Sequence, residues 1–161
     1  MKKTAYCIAL IRISMGWTFL WAFFDKLAGL GYATESANSW LNGGSPTVGF
    51  LRFGTSGPFA EWYQSIAGQG WVDWLFMLGL AGIGLALIFG AGLRIAAAAG
   101  TLLMVMMFTA ALPPENNPVV DEHIIYALVL LALPLLDAGR TLGIGRWWSA
   151  MPLVQKYRWL V

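Results

Sequence analysis

Little in this 161-residue chain carries charge. Ten Lys and Arg stand against eight Asp and Glu; charged residues make up 11% of the chain and hydrophobic ones 58%. That balance is far from the soluble-domain norm. The formal net charge of +2 is too small to argue for nucleic acid, and no nucleic-acid partner is expected. Cys7 is the only cysteine, which excludes an internal disulfide, a cysteine-based zinc site and a cysteine-ligated iron–sulfur cluster. His123 is the only histidine, which excludes bis-histidine haem ligation. Also missing are the dinucleotide-fold glycine signature, the P-loop and the CxxCH motif, so no haem, flavin or iron–sulfur motif is found.

In place of these, the chain has long apolar runs. From Trp74 to Leu112 it reads as two uncharged stretches of about 20 residues on either side of Arg94, with no polar stripe at 3.6-residue spacing. About 20 helical residues cross a hydrocarbon core of roughly 30 Å. The pair predicts a transmembrane hairpin with its turn near Gly90 to Leu93. Upstream, Arg12 and the bulky Trp17, Phe19, Trp21, Phe23 and Phe24 oppose a cleaved signal peptide, so a retained membrane helix is expected. The expected fold is an all-α membrane protein, one domain over 1–161. Its four transmembrane helices are predicted at about 5–24, 72–92, 94–112 and 118–138, the last started by Asn117-Pro118 and kinked by Pro134. Small residues at four-residue spacing (Gly82, Ala86, Gly90; Ala96, Gly100) are expected to bring helix backbones close in lipid.

Residues 27–71 are rich in glycine and turn pairs, yet interleaved with aromatics. They predict an outer lid carrying short interfacial helices near 34–42, 46–53 and 58–67. The tail, 139–161, places Arg140, Arg146, Lys156 and Arg158 among tryptophans, as at a membrane surface. Both termini share a side with Lys2, Lys3, Arg12 and Arg94; the other side has Lys26 and Arg52. This asymmetry predicts a multi-pass protein with cytoplasmic N- and C-termini; the expected location is the inner (plasma) membrane of a prokaryotic cell.

With that topology the outer helix ends carry Asp25, Lys26, Asp73, Glu115, Asp121, Glu122 and His123, with Tyr126 one turn below and Arg52 and Glu61 in the lid. Their convergence predicts a polar chamber walled by Trp17 and Trp21, suited to a quinone headgroup or another small redox molecule. Lys26 and His123 would hydrogen-bond or protonate a quinone oxygen, and Glu115, Glu122 and Asp73 would pass protons. Trp17, Trp21, Asp25 and Tyr126 would bind the ring. A divalent metal on His123 with Glu115, Asp121 and Glu122 is disfavoured, because adjacent helical side chains point about 100° apart. Arg12 lies roughly 10 Å into the membrane, where an unpaired arginine costs about 2.5–3.5 kcal/mol on insertion scales. Asp137 matches it in depth, so an Arg12–Asp137 structural ion pair is expected.

The first helix, LIRISMGWTFLWAFFDKLAGLG, resembles the opening helix of the DoxX family of small four-helix membrane proteins, through Arg12, Gly16, Phe19 and Lys26. Phe23 departs from the glycine that family often places three residues before the lysine. The NGGSPTVGFLRFGTSGPF loop and the PPENNPVVDEHIIYALVLL segment look more like the DoxD branch. The resemblance implies a membrane subunit of a thiosulfate:quinone oxidoreductase beside a smaller partner, delivering electrons from a sulfur compound to quinone. The alternative is a non-catalytic accessory or scaffolding subunit of a larger membrane complex. Expected partners are lipid and either other complex subunits or further copies of this chain. Transport is the weaker reading, since no inverted repeat is visible.

Overall fold

The computed structural model describes residues 2–114, 117 and 119–160, and among these it is helical throughout, with no strand. Helix α1 spans Lys2–Ala28, α4 spans Gly70–Phe89 and α5 spans Leu93–Ala110. All three are long and apolar enough to cross a membrane. Short helices α2 (Val48–Phe53) and α3 (Ala60–Ser65) lie in the connection after α1, with 3₁₀ turns at Ser36–Asn38, Trp40–Asn42 and Gly57–Phe59. These fall close to the three places where the sequence predicts short helices. Helix α6 spans Glu122–Leu135, and α7 (Gly145–Ala150) and α8 (Pro152–Lys156) form the tail.

Helix α6 differs from expectation at its start. Asn117 uses its side-chain oxygen to accept N–H groups from Val119 and Val120, a local turn, and does not cap the helix. Asp121 is the cap instead, accepting the Ile124 N–H at 3.2 Å. The helix that follows has 14 residues, about 21 Å of rise, and is shorter than α1, α4 and α5.

The core forms where α1 packs on α4 and α5 on α6, around Phe19, Met77, Ile83, Leu87, Leu130 and Leu133. The α1–α4 contact is backbone-close. A Cβ on Gly16 would meet Ile88 N and Leu87 Cβ at 2.9 Å, and one on Gly84 would meet Leu20 Cγ at 2.6 Å. Gly84, not the expected Gly82, therefore faces the neighbouring helix; Gly82 is exposed with open space where a side chain would go. Ala96 and Gly100 behave as expected and are buried.

One end of the bundle gathers the start of α1, the α4–α5 turn and the tail. There α4 stops at left-handed Gly90, whose N–H reaches Ala86 O at 2.8 Å, and α5 begins after left-handed Gly92. Arg12, fully buried, crosses to this turn. Its Nη1 donates to the carbonyls of Leu87 and, at 2.8 Å, Ile88, and its Nη2 donates to Thr141 O at 3.2 Å and Leu142 O at 2.7 Å. The expected Arg12–Asp137 pair does not form. Asp137 is exposed in a left-handed conformation and faces Arg140 at 3.4 Å. The physical reason is local: the last carbonyls of α4 have no helical partner, and a guanidinium offers five donors in a planar fork that can satisfy several at once.

Candidate functional site

At the opposite end α4 and α5 diverge from their three-residue turn and leave a cavity of about 360 Å³ between them. Helix α4 lines it with Val72, Phe76, Gly79 and Ile83, spaced four, three and four residues apart, so one face of the helix looks into it. Helix α5 contributes Ala99, Leu103, Met106 and Ala110 in the same manner. From the level of Val72 to that of Ile83 the cavity extends about 16 Å along the helix axis. Its roof is Phe50, Leu51, Tyr63 and Ile66, from α2 and the segment around α3. The walls are almost wholly hydrocarbon. Among the described residues, Lys26, in the last turn of α1 and half-buried, is the one charged residue that lines them.

The roof is pinned at two sides by polar groups that the helix ends supply. Asp73, buried in the first turn of α4, accepts the Ser45 hydroxyl at 2.8 Å and the Thr47 hydroxyl at 2.5 Å on the same oxygen. Across the cavity the Tyr63 hydroxyl donates to Met106 O at 3.0 Å and lies 2.7 Å from the Thr109 hydroxyl. Ser56 adds its N–H to Ala110 O and its hydroxyl to Leu112 O. The lid is thus tied to the start of α4 and to the end of α5, the two helices that separate beneath it.

Among the described residues, the predicted polar chamber does not assemble. Lys26 alone of the expected acid–base set faces the cavity. Asp73 stands at its roof, occupied by two hydroxyls. Asp25 is buried and accepts the N–H groups of Tyr32 (3.3 Å) and Ala33 (3.1 Å), turning the chain after α1. His123 Nδ1 lies 2.7 Å from Asp121 Oδ2 beside the start of α6. Partial burial works to raise the Asp121 carboxyl, but the His123 hydrogen bond, the Ile124 N–H and the nearby imidazole together hold it below the ordinary carboxylate range. Glu122, Arg52 and Glu61 are exposed, and Tyr126 packs against the core. Glu115 lies outside the described residues. Trp17 is exposed and Trp21 sits between it and Tyr32, with centroids 5.9 and 5.0 Å apart, so neither walls the cavity.

The acids at the helix ends are already engaged. Asp25 and Asp121 find N–H and imidazole partners a few residues along the chain, and Asp73 is claimed by two hydroxyls of the lid, so their lone pairs are not left to converge on one chamber. What sequence reasoning missed is the apolar wall itself. Phe50, Tyr63, Gly79, Leu103, Met106 and Met107 read in sequence as ordinary lipid-facing or packing residues. The available signal was the short turn at Gly90 to Gly92 followed by a small residue on each lining face, Gly79 on α4 and Ala99 on α5, which leave room between the helices.

A smaller cavity of about 60 Å³ lies at the other end, beside Gly92, Arg94, Arg140 and Trp148. No protein-family model, curated protein or solved structure matches this chain.

Proposed function

We propose that this chain is a quinone-interacting integral membrane subunit of an oxidoreductase, of the thiosulfate:quinone type that its resemblance to the DoxX family implies. On this reading α6 completes a four-helix membrane bundle, α2 and α3 lie at the outer interface, and both termini are cytoplasmic, as the excess of basic residues at that end favours. The observation that carries the proposal is the position of Lys26, a single ammonium at the edge of a roofed hydrocarbon cavity. Apolar walls with one polar donor suit a ligand whose ring is hydrophobic and whose carbonyl oxygen needs a partner. Lys26 donates to that oxygen and stabilises the negative charge that grows on it as two electrons and two protons convert quinone to quinol. The electrons come from a partner subunit that oxidises the sulfur compound. His123 and Glu122, which do not line the cavity, are not assigned the protonation roles that their sequence positions suggest.

The test is quinone reduction by the reconstituted complex in liposomes. Lys26→Met is expected to lower kcat/KM for quinone at least about tenfold, equivalent to roughly 1.4 kcal/mol, while His123→Ala changes it little. Unchanged turnover in Lys26→Met sinks the assignment.

A second reading, a non-catalytic scaffolding subunit, is favoured by Trp147 and Trp159, both exposed on the basic tail. A complex that keeps its activity after loss of this chain supports it.

A further inference from the structure

The cavity is not a closed chamber. Leu75 and Leu102, on its α4 and α5 rims, are 65% and 62% exposed, so its long side faces outward between the two helices, where lipid would stand. Half-way down α4, Gly79 lines this gap, and a Cβ built on it meets nothing within 4 Å. Lys26 belongs to the roofed level: Gly16 packs at Gly84, and ten residues further along antiparallel helices brings Lys26 opposite Trp74. Gly79 is then five residues, about 8 Å, below the ammonium. Met106 and Met107 supply adaptable side chains on the opposing wall.

The geometry points to a ligand with a long hydrocarbon tail, whose head lies at Lys26 and whose tail passes out through the α4–α5 gap beside Gly79. This inference rests on the quinone reading and deepens it: the tail, not the ring alone, is recognised, and Gly79 sets whether the tail is admitted. A glycine at this place has a physical effect that no packing neighbour requires. A side chain here starts from a Cβ with nothing within 4 Å, and a leucine would take up the space in the gap that the tail needs.

The experiment uses the purified full chain in lipid nanodiscs and two probes, a benzoquinone without a tail and the same headgroup carrying a ten-carbon chain. Binding is read by quenching of tryptophan fluorescence. The unaltered protein is expected to bind the tailed probe at least about tenfold more tightly than the tail-less one. Gly79→Leu is expected to bring the two affinities within about threefold of each other, chiefly by weakening the tailed probe. Gly82→Leu is the matched control: Gly82 is also free of neighbours within 4 Å but lines no part of the cavity, and both affinities should persist. If Gly79→Leu leaves the tenfold preference intact, the portal is wrong while the head site can stand. If Lys26→Met leaves both probes bound as before, the quinone reading itself fails. A fall in oligomeric mass with Gly79→Leu, without a change in probe preference, overturns the inference in favour of a second copy filling the gap.

Discussion

At the end that carries the termini, Arg12 reaches across from α1 and donates to four carbonyls on two other segments. Glycines close the remaining space there: a Cβ on Gly139 would run into the Gly90 carbonyl. At the lid end the same helices α4 and α5 stand apart, and the gap between them stays open under a roof tied down by Asp73 and Tyr63. The first end commits its arginine to backbone carbonyls and leaves a cavity of about 60 Å³; the second commits its acids to turns and to the lid's hydroxyls and leaves about 360 Å³. The difference teaches that bundle ends are not equivalent even when both carry charged residues. One cation with many donors can draw several chain segments together. The carboxylates at the lid end are taken up by turns and by lid hydroxyls, and the space between α4 and α5 is left to hydrocarbon.

The strongest way to break the contrast is Arg12→Leu. It leaves the last carbonyls of α4 and those of Thr141 and Leu142 without this donor, and is expected to cost about 2–4 kcal/mol, read as a lower thermal midpoint in detergent. Arg12→Lys should recover only part, because an ammonium cannot span the fork. A variant as stable as the parent would show that the terminal end is held by packing alone.

Asp73→Ala acts on the other end. Losing the anchor of Ser45 and Thr47 is expected to cost about 1–3 kcal/mol, with hydrogen exchange rising across 45–53 while α6 is unaffected. If exchange rises equally everywhere, the lid is not a separable part.

A smaller effect is expected at Asp121. Its carboxyl is held below its ordinary value of about 3.9. A group whose native pKa is depressed adds stability above its unfolded value, and that stability is lost as pH falls through the native value. The stability gap between the parent and Asp121→Asn should therefore be present near neutral pH and close in acid. Asparagine still caps the helix, so a gap that is independent of pH would show that the charge has no part in it.

The smallest effect belongs to Asp137. Its exposed partner is Arg140, three residues on, and Asp137→Asn should change stability by no more than about 0.5 kcal/mol. Together with a large Arg12 effect, this outcome separates the carbonyl-bound arginine from an ion pair.

Much of the architecture was legible. The spans around α1, α4 and α5, the turn at Gly90 to Gly92 and the short helices between residues 36 and 65 all follow from local signals: apolar length, turn glycines, proline placement. The start of α6 was misplaced because Asn117 and Asp121 are both able to cap, and only the observed hydrogen bonds distinguish a turn from a helix start. The candidate site was legible only at Lys26. Asp25, Asp73 and His123 were expected to converge, since all four helix ends carry such groups, but each found a nearer partner.

By itself the sequence determined that long helices form and that those now seen as α1, α4 and α5, among the four spans expected, are apolar enough to cross a membrane, because helix rise and hydrophobicity are sums over neighbouring residues. Only the tertiary structure decided that Arg12 binds carbonyls and not Asp137, that Gly84 and not Gly82 meets α1, and that α4 and α5 part to leave a cavity. Those outcomes depend on which face of each helix turns toward which neighbour. That choice is made by shape and by competition for hydrogen bonds over distances that residue spacing along one chain does not encode.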